Sequence, residues 1–106
     1  MGLYTIACYK PKAGKEADLL RIVKEHVPIL RNEKLVTDRV AHVMKAKDGT
    51  IVEVFEWASQ QAIEDAHKNP NVLAMWGQFN DACEIVKLVD LAESKDMFAG
   101  FEPLDF

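Results

Sequence analysis

Residues 50–67 read TIVEVFEWASQQAIEDAH, and the fold follows from them. Asp48-Gly49 stands just before, a pair that tolerates the positive φ of a tight two-residue hairpin turn. Ile51-Val52-Glu53-Val54-Phe55-Glu56-Trp57 is rich in β-branched and aromatic residues and predicts a strand. Ser59 then occupies a helix N-cap position, and Ala62, Ile63, Ala66 and His67 recur behind it at helical spacing. One segment thus supplies a turn, a buried strand and the start of a helix.

Working outward, residues 39–46 form the strand that pairs back through the turn. With Asp48-Gly49 as the loop, Lys47 faces Thr50, His42 faces Phe55, Met44 faces Glu53 and Val40 faces Trp57. Residues 3–10 predict a first strand that ends at Pro11. Residues 15–31 place Leu19, Ile22, Val23, Val27 and Leu30 on one face of an amphipathic helix. Pro28 is expected to kink or end that helix, and His26 reads as a boundary residue bonded to backbone. Asn69-Pro70 caps and opens a further helix with Val72, Trp76, Phe79 and Cys83 in one stripe. Residues 85–89 predict a last strand.

The order β-α-β-β-α-β is the ferredoxin-like α+β arrangement, with an antiparallel four-stranded sheet. The strands are apolar on both faces, with Val43, Val52 and Val54 on one and Val40, Met44, Phe55 and Trp57 on the other. Both faces need cover, which predicts a homodimer packed sheet on sheet. The tail 91–106 carries Met97, Phe98, Phe101, Leu104 and Phe106 and is expected to dock on its own subunit or a partner.

The chain has 106 residues, of which 49% are hydrophobic and 28% charged, the composition of one folded domain. A net charge of −4 with scattered Lys and Arg argues against a nucleic-acid partner. No apolar run is long enough for a membrane span, and the N-terminus lacks the pattern of a secretory signal. Cys8 and Cys83 sit in no metal or redox spacing and read as free thiols of a cytoplasmic protein. No local spacing supports a metal site.

The run 52–57 with Ser59, Ala62, Ala66-His67 and Asn69-Pro70 resembles the dimeric α+β barrel superfamily, and within it the antibiotic-biosynthesis-monooxygenase-like domains. The resemblance covers about residues 3–90 and implies a single such domain over 1–106. It implies a cofactor-free monooxygenase, or an isomerase, acting on a small hydrophobic or aromatic compound. Haem-degrading members of the superfamily combine a first-strand Asn with a Trp and a helical His. Trp57 and His67 could match the last two, but residues 4–9 contain no Asn.

On the predicted register Glu53 lies diagonal to His42, beside Phe55 and Trp57. Such a group offers an imidazole base, an orienting carboxylate and aromatic walls that exclude water. His42 or His67 is therefore the candidate base, with Glu53 its partner and Phe55, Trp57 and Trp76 the ligand contacts. The bland alternatives stand beside these. His42–Glu53 also reads as a polar contact or seam pair, His67 as a helix-end residue on the last carbonyls, and Trp76 as core. A non-catalytic ligand-binding protein or a structural homodimer is the alternative function.

Overall fold

A computed structural model describes residues 2–105; Phe106, which the sequence places in the apolar tail, lies outside them. The elements are β1 (Leu3–Pro11), α1 (Glu16–Asn32), β2 (His42–Lys45), β3 (Ile51–Trp57), α2 (Gln60–Ala66), α3 (Pro70–Ala82), β4 (Cys83–Val86) and β5 (Glu102–Leu104). Short 3₁₀ turns at Leu88–Asp90 and Ala92–Lys95 precede β5. The first six major elements and β4 give the ferredoxin-like β-α-β-β-α-β core, lengthened by the second half of a split helix. The sheet is antiparallel and five-stranded, in the order β4-β1-β3-β2-β5. The extra strand comes from the tail, where Leu104 pairs with Val43.

Local chemistry explains the helix boundaries. The Ser59 hydroxyl accepts the Ala62 N–H at 3.0 Å, and Asn69 Oδ1 accepts the N–H groups of Asn71 and Val72. Pro28 does not end α1, which continues to Asn32. Proline strips a donor from the Lys24 carbonyl, but Lys24 and Pro28 both lie on the exposed side, where water can satisfy it. The opposite stripe buries Leu19, Ile22, Val23, His26, Val27 and Leu30 against the sheet.

The hairpin differs from the predicted one by a single residue. The Ala46 N–H donates to the Thr50 carbonyl at 2.8 Å, so the loop is three residues, Lys47-Asp48-Gly49, with Gly49 at φ +94°. A three-residue loop with a left-handed glycine is the next commonest hairpin after the two-residue turn. Asp48 Oδ1 accepts the Thr50 N–H, which holds its carboxyl below the usual range and fixes the longer loop. Consequently His42 pairs with Val54, Val43 with Glu53 and Met44 with Val52. The slip reverses every β2 side chain between the two faces.

The helix-covered face joins Tyr9, Ile51, Phe55 and Trp57 to the buried stripes of α1 and α3. On the other face Cys8, Ala46 and Val52 pack with Leu91, Met44, Val86 and Phe101. The tail thus covers the hairpin half of that face, and the buried Glu93 anchors it by accepting the Lys47 N–H. Tyr4 and Ile6, at the far end of the same face, stay about half exposed at 52% and 50%. No helix among the described residues is long and apolar enough to cross a membrane.

Two glycines give opposite expectations. Gly49→Ala forces a Cβ onto a left-handed backbone and is expected to lower stability by about 1 kcal/mol. Gly77→Ala, in the exposed middle of α3 with open space around the new methyl, is expected to raise it by about 1 kcal/mol. Urea denaturation of the two variants measures both.

Candidate functional site

The site lies between the sheet and helices α1 and α3. Alternation on β3 sends Glu53, Phe55 and Trp57 to this face, and pairing sets Ala7 beside Glu53 and Thr5 beside Phe55. These small β1 residues leave room above the sheet. The result is an apolar cavity of about 360 Å³ lined by Thr5, Ala7, Tyr9, His26, Phe55, Trp57, Trp76, Phe79, Asn80 and Ile85.

Four polar groups connect at one end of it. Glu53 Oε1 accepts the Tyr9 hydroxyl at 2.8 Å and lies 2.7 Å from His26 Nδ1. On the other side of the imidazole, Trp76 Nε1 donates to His26 Nε2 at 3.2 Å. An indole N–H can only donate, so Nε2 carries a lone pair and the proton of the neutral ring sits on Nδ1, where it donates to Glu53. The imidazole also meets Phe55 and Phe79 edge to face, with ring centroids 5.4 and 5.1 Å away. Hydrogen bonds and packing thus fix both its tautomer and its plane. Burial, and then the charge of Glu53, push the Tyr9 phenol far above its ordinary range, so Tyr9 stays a donor. Burial likewise raises the Cys8 thiol and lifts that of Cys83 to about 11.

The residues expected from sequence are only partly gathered here. Glu53 is at the centre of the hydrogen-bond network but not among the lining residues, Phe55 and Trp57 are walls, and Trp76 both lines the cavity and caps the imidazole. His42 is not beside Glu53. It is exposed on the opposite face of the sheet, because the three-residue loop shifts β2 by one position. His67 caps the end of α2 and is exposed, with Nδ1 donating to the Ile63 carbonyl at 2.7 Å. It reaches the site only indirectly, its ring 5.0 Å from that of Trp76.

His26, read as a boundary residue, is instead the buried hub of the network at 3% exposure. Its signal was its place one turn from both Ile22 and Leu30, within the apolar stripe. Tyr9 was likewise missed, although strand alternation from Ala7 pointed it to the same face. Arg39 pairs with Glu56 at 2.9 Å, away from this site. No cluster of three or more metal-ligating side chains occurs among the described residues.

The sequence matches no family model and no curated protein. The chain is similar in structure to Rv0793 from Mycobacterium tuberculosis, with a TM-score of 0.63 and 17% identity over 87% of this chain and 99% of that one. At this identity the likeness shows a shared ferredoxin-like α+β fold and nothing about chemistry.

Folding retains the Tyr9 proton, so its contribution to stability is whole below about pH 10, the ordinary phenol range, and is lost as pH rises beyond it. Tyr9→Phe is expected to cost roughly 1.5–3 kcal/mol at neutral pH, the worth of a hydrogen bond to a charged acceptor. The gap to the parent protein should narrow above about pH 10. Urea titrations on either side of that pH check both statements.

Proposed function

We propose that the chain acts on a small hydrophobic, aromatic compound held in the α1–α3 cavity, with His26 as the base. The observation that carries this reading is the lone pair of His26 Nε2 at the wall of an aromatic-lined cavity, with Nδ1–H tied to Glu53. A base held in one tautomer by a buried carboxyl partner suits abstraction of a phenolic or activated C–H proton. Phe55, Trp57 and Trp76 line the cavity with aromatic surface, while Thr5 and Asn80 provide its other polar side chains.

The finer reading is a cofactor-independent monooxygenase, as the family resemblance implies. His26 takes a proton from an activated CH₂ group, and the resulting carbanion gives an electron to dioxygen. The radical pair combines to a peroxide anion, which takes the proton back from the His26 imidazolium, and the resulting hydroperoxide loses water to leave a ketone. Substrate CH₂ and O₂ thus become C=O and H₂O, with dioxygen as the oxidant. Tyr9 and Glu53 keep the imidazole oriented while its charge changes.

A binding role is favoured by one observation of its own. The Trp76 indole already occupies Nε2, so the base is free only when that indole moves aside. A thermal-shift screen with an anthrone, hydroquinones and flavonols identifies a ligand, because selective binding to the folded protein raises its melting temperature. Oxygen uptake with that ligand then separates the readings. Turnover should fall about 100- to 10,000-fold in His26→Ala and remain in His42→Ala. Saturable binding without oxygen uptake would favour the binding protein. Turnover unchanged in His26→Ala would remove the base assignment.

We also propose a homodimer through the open end of the second sheet face, where Tyr4 and Ile6 stand exposed on one side of β1. A two-fold contact would set this strip against its own copy. Ile6→Glu is expected to convert a dimer to a monomer in size-exclusion chromatography with light scattering. A parent protein that already runs as a monomer overturns the proposal.

A further inference from the structure

Trp76 stands between two histidines. Its indole N–H donates to the buried His26 Nε2 at 3.2 Å, and its ring meets that of the exposed His67, with centroids 5.0 Å apart. The indole lines the aromatic cavity and is itself partly exposed, so it lies across the boundary between cavity and solvent. The single polar atom of this side chain is spent on His26.

That bond depends on one lone pair. An indole nitrogen donates and does not accept, so the contact exists only while His26 Nε2 carries no proton. A proton added at Nε2 makes it a second donor, and two N–H groups then face each other. The proton between Nδ1 and Glu53 Oε1, 2.7 Å apart, leaves this unchanged whichever of the two holds it. The imidazole has no room to turn away: it is 3% exposed, tied at Nδ1 and held edge to face by Phe55 and Phe79. The indole is the partner with access to water, which can accept its N–H instead.

The titratable groups around the pair are few. Glu53 from β3 meets the far side of the imidazole, with Tyr9 from β1 on the same carboxyl oxygen, and His67 at the end of α2 meets the indole. From α3 the imidazole receives only Trp76 and Phe79. Tyr9 stays protonated, and the other residues lining the cavity carry no charge. His67 is the one rival to His26 as the group that moves the indole.

We propose that Trp76 is a proton-released latch on the aromatic cavity: a proton taken up at His26 Nε2 detaches the indole and frees this part of the cavity wall. The latch requires no particular ligand and no reaction in the cavity.

Nuclear magnetic resonance of the ¹⁵N-labelled protein tests it, from about pH 8 to about pH 5, the span in which imidazoles ordinarily titrate. The Trp76 Nε1–H signal, assigned by its loss in Trp76→Phe, should shift with the same midpoint as the His26 ring nitrogens. Its exchange with solvent, measured against free indole at each pH, should quicken roughly two- to tenfold, the worth of one neutral hydrogen bond. The step should persist in His67→Gln and vanish in His26→Gln; should the latter not fold, the shared midpoint and His67→Gln decide. A Trp76 signal that stays constant while His26 gains its proton overturns the proposal. So does a step that disappears in His67→Gln, or a His26 that takes up no proton across the range.

Discussion

The buried Glu53 carboxylate is the constraint on which the site depends. It stands on the central strand, fully enclosed, and draws Tyr9 from β1 and His26 from α1 onto one oxygen. Two charge-assisted bonds at roughly 1.5–3 kcal/mol each return about as much as burying the charge costs, which is several kcal/mol. Stability therefore gives little reason for a carboxylate at this position. Its consequence is geometric: one sheet residue holds His26 Nδ1 from α1 and the Tyr9 hydroxyl from β1 on a single oxygen.

The surrounding residues turn that geometry into a site. Ala7 and Thr5 are too small to fill the space above β1, while Phe55 and Phe79 hold the imidazole edge-on from two sides. Trp76 is different in kind, because it closes the remaining hydrogen-bonding position of the ring. An aromatic compound entering the cavity would compete with that indole for the same nitrogen. On the proposed reading of His26 as a base, a ligand that displaced this indole would unmask it.

A one-residue difference in a hairpin decides which histidine belongs to this arrangement. The Asp48-Gly49 pair suits a two-residue turn, but the Asp48 carboxyl also accepts the Thr50 N–H, and the loop takes three residues. His42 then leaves the helix-covered face and Val43 takes its place beside Glu53. The second face is shared between the chain's own tail and an uncovered strip. Leu91 and Phe101 pack near Cys8 and Val52, and Tyr4 and Ile6 stay open.

The sequence by itself determined the element order, the caps at Ser59 and Asn69, and the side of β3 that carries Glu53, Phe55 and Trp57. Those features depend on local propensity and on periods of 2 and 3.6, which neighbouring residues carry in full. It did not determine the partners of Glu53, the fifth strand or the continuation of α1 through Pro28. Hairpin register turns on one residue of loop length, and the patterning of β2 is apolar on both faces, so nothing local opposed the slip. His26 lies 27 residues from Glu53 and 50 from Trp76. Only the packing of α1 and α3 on the sheet brings an imidazole from the apolar stripe into contact with both.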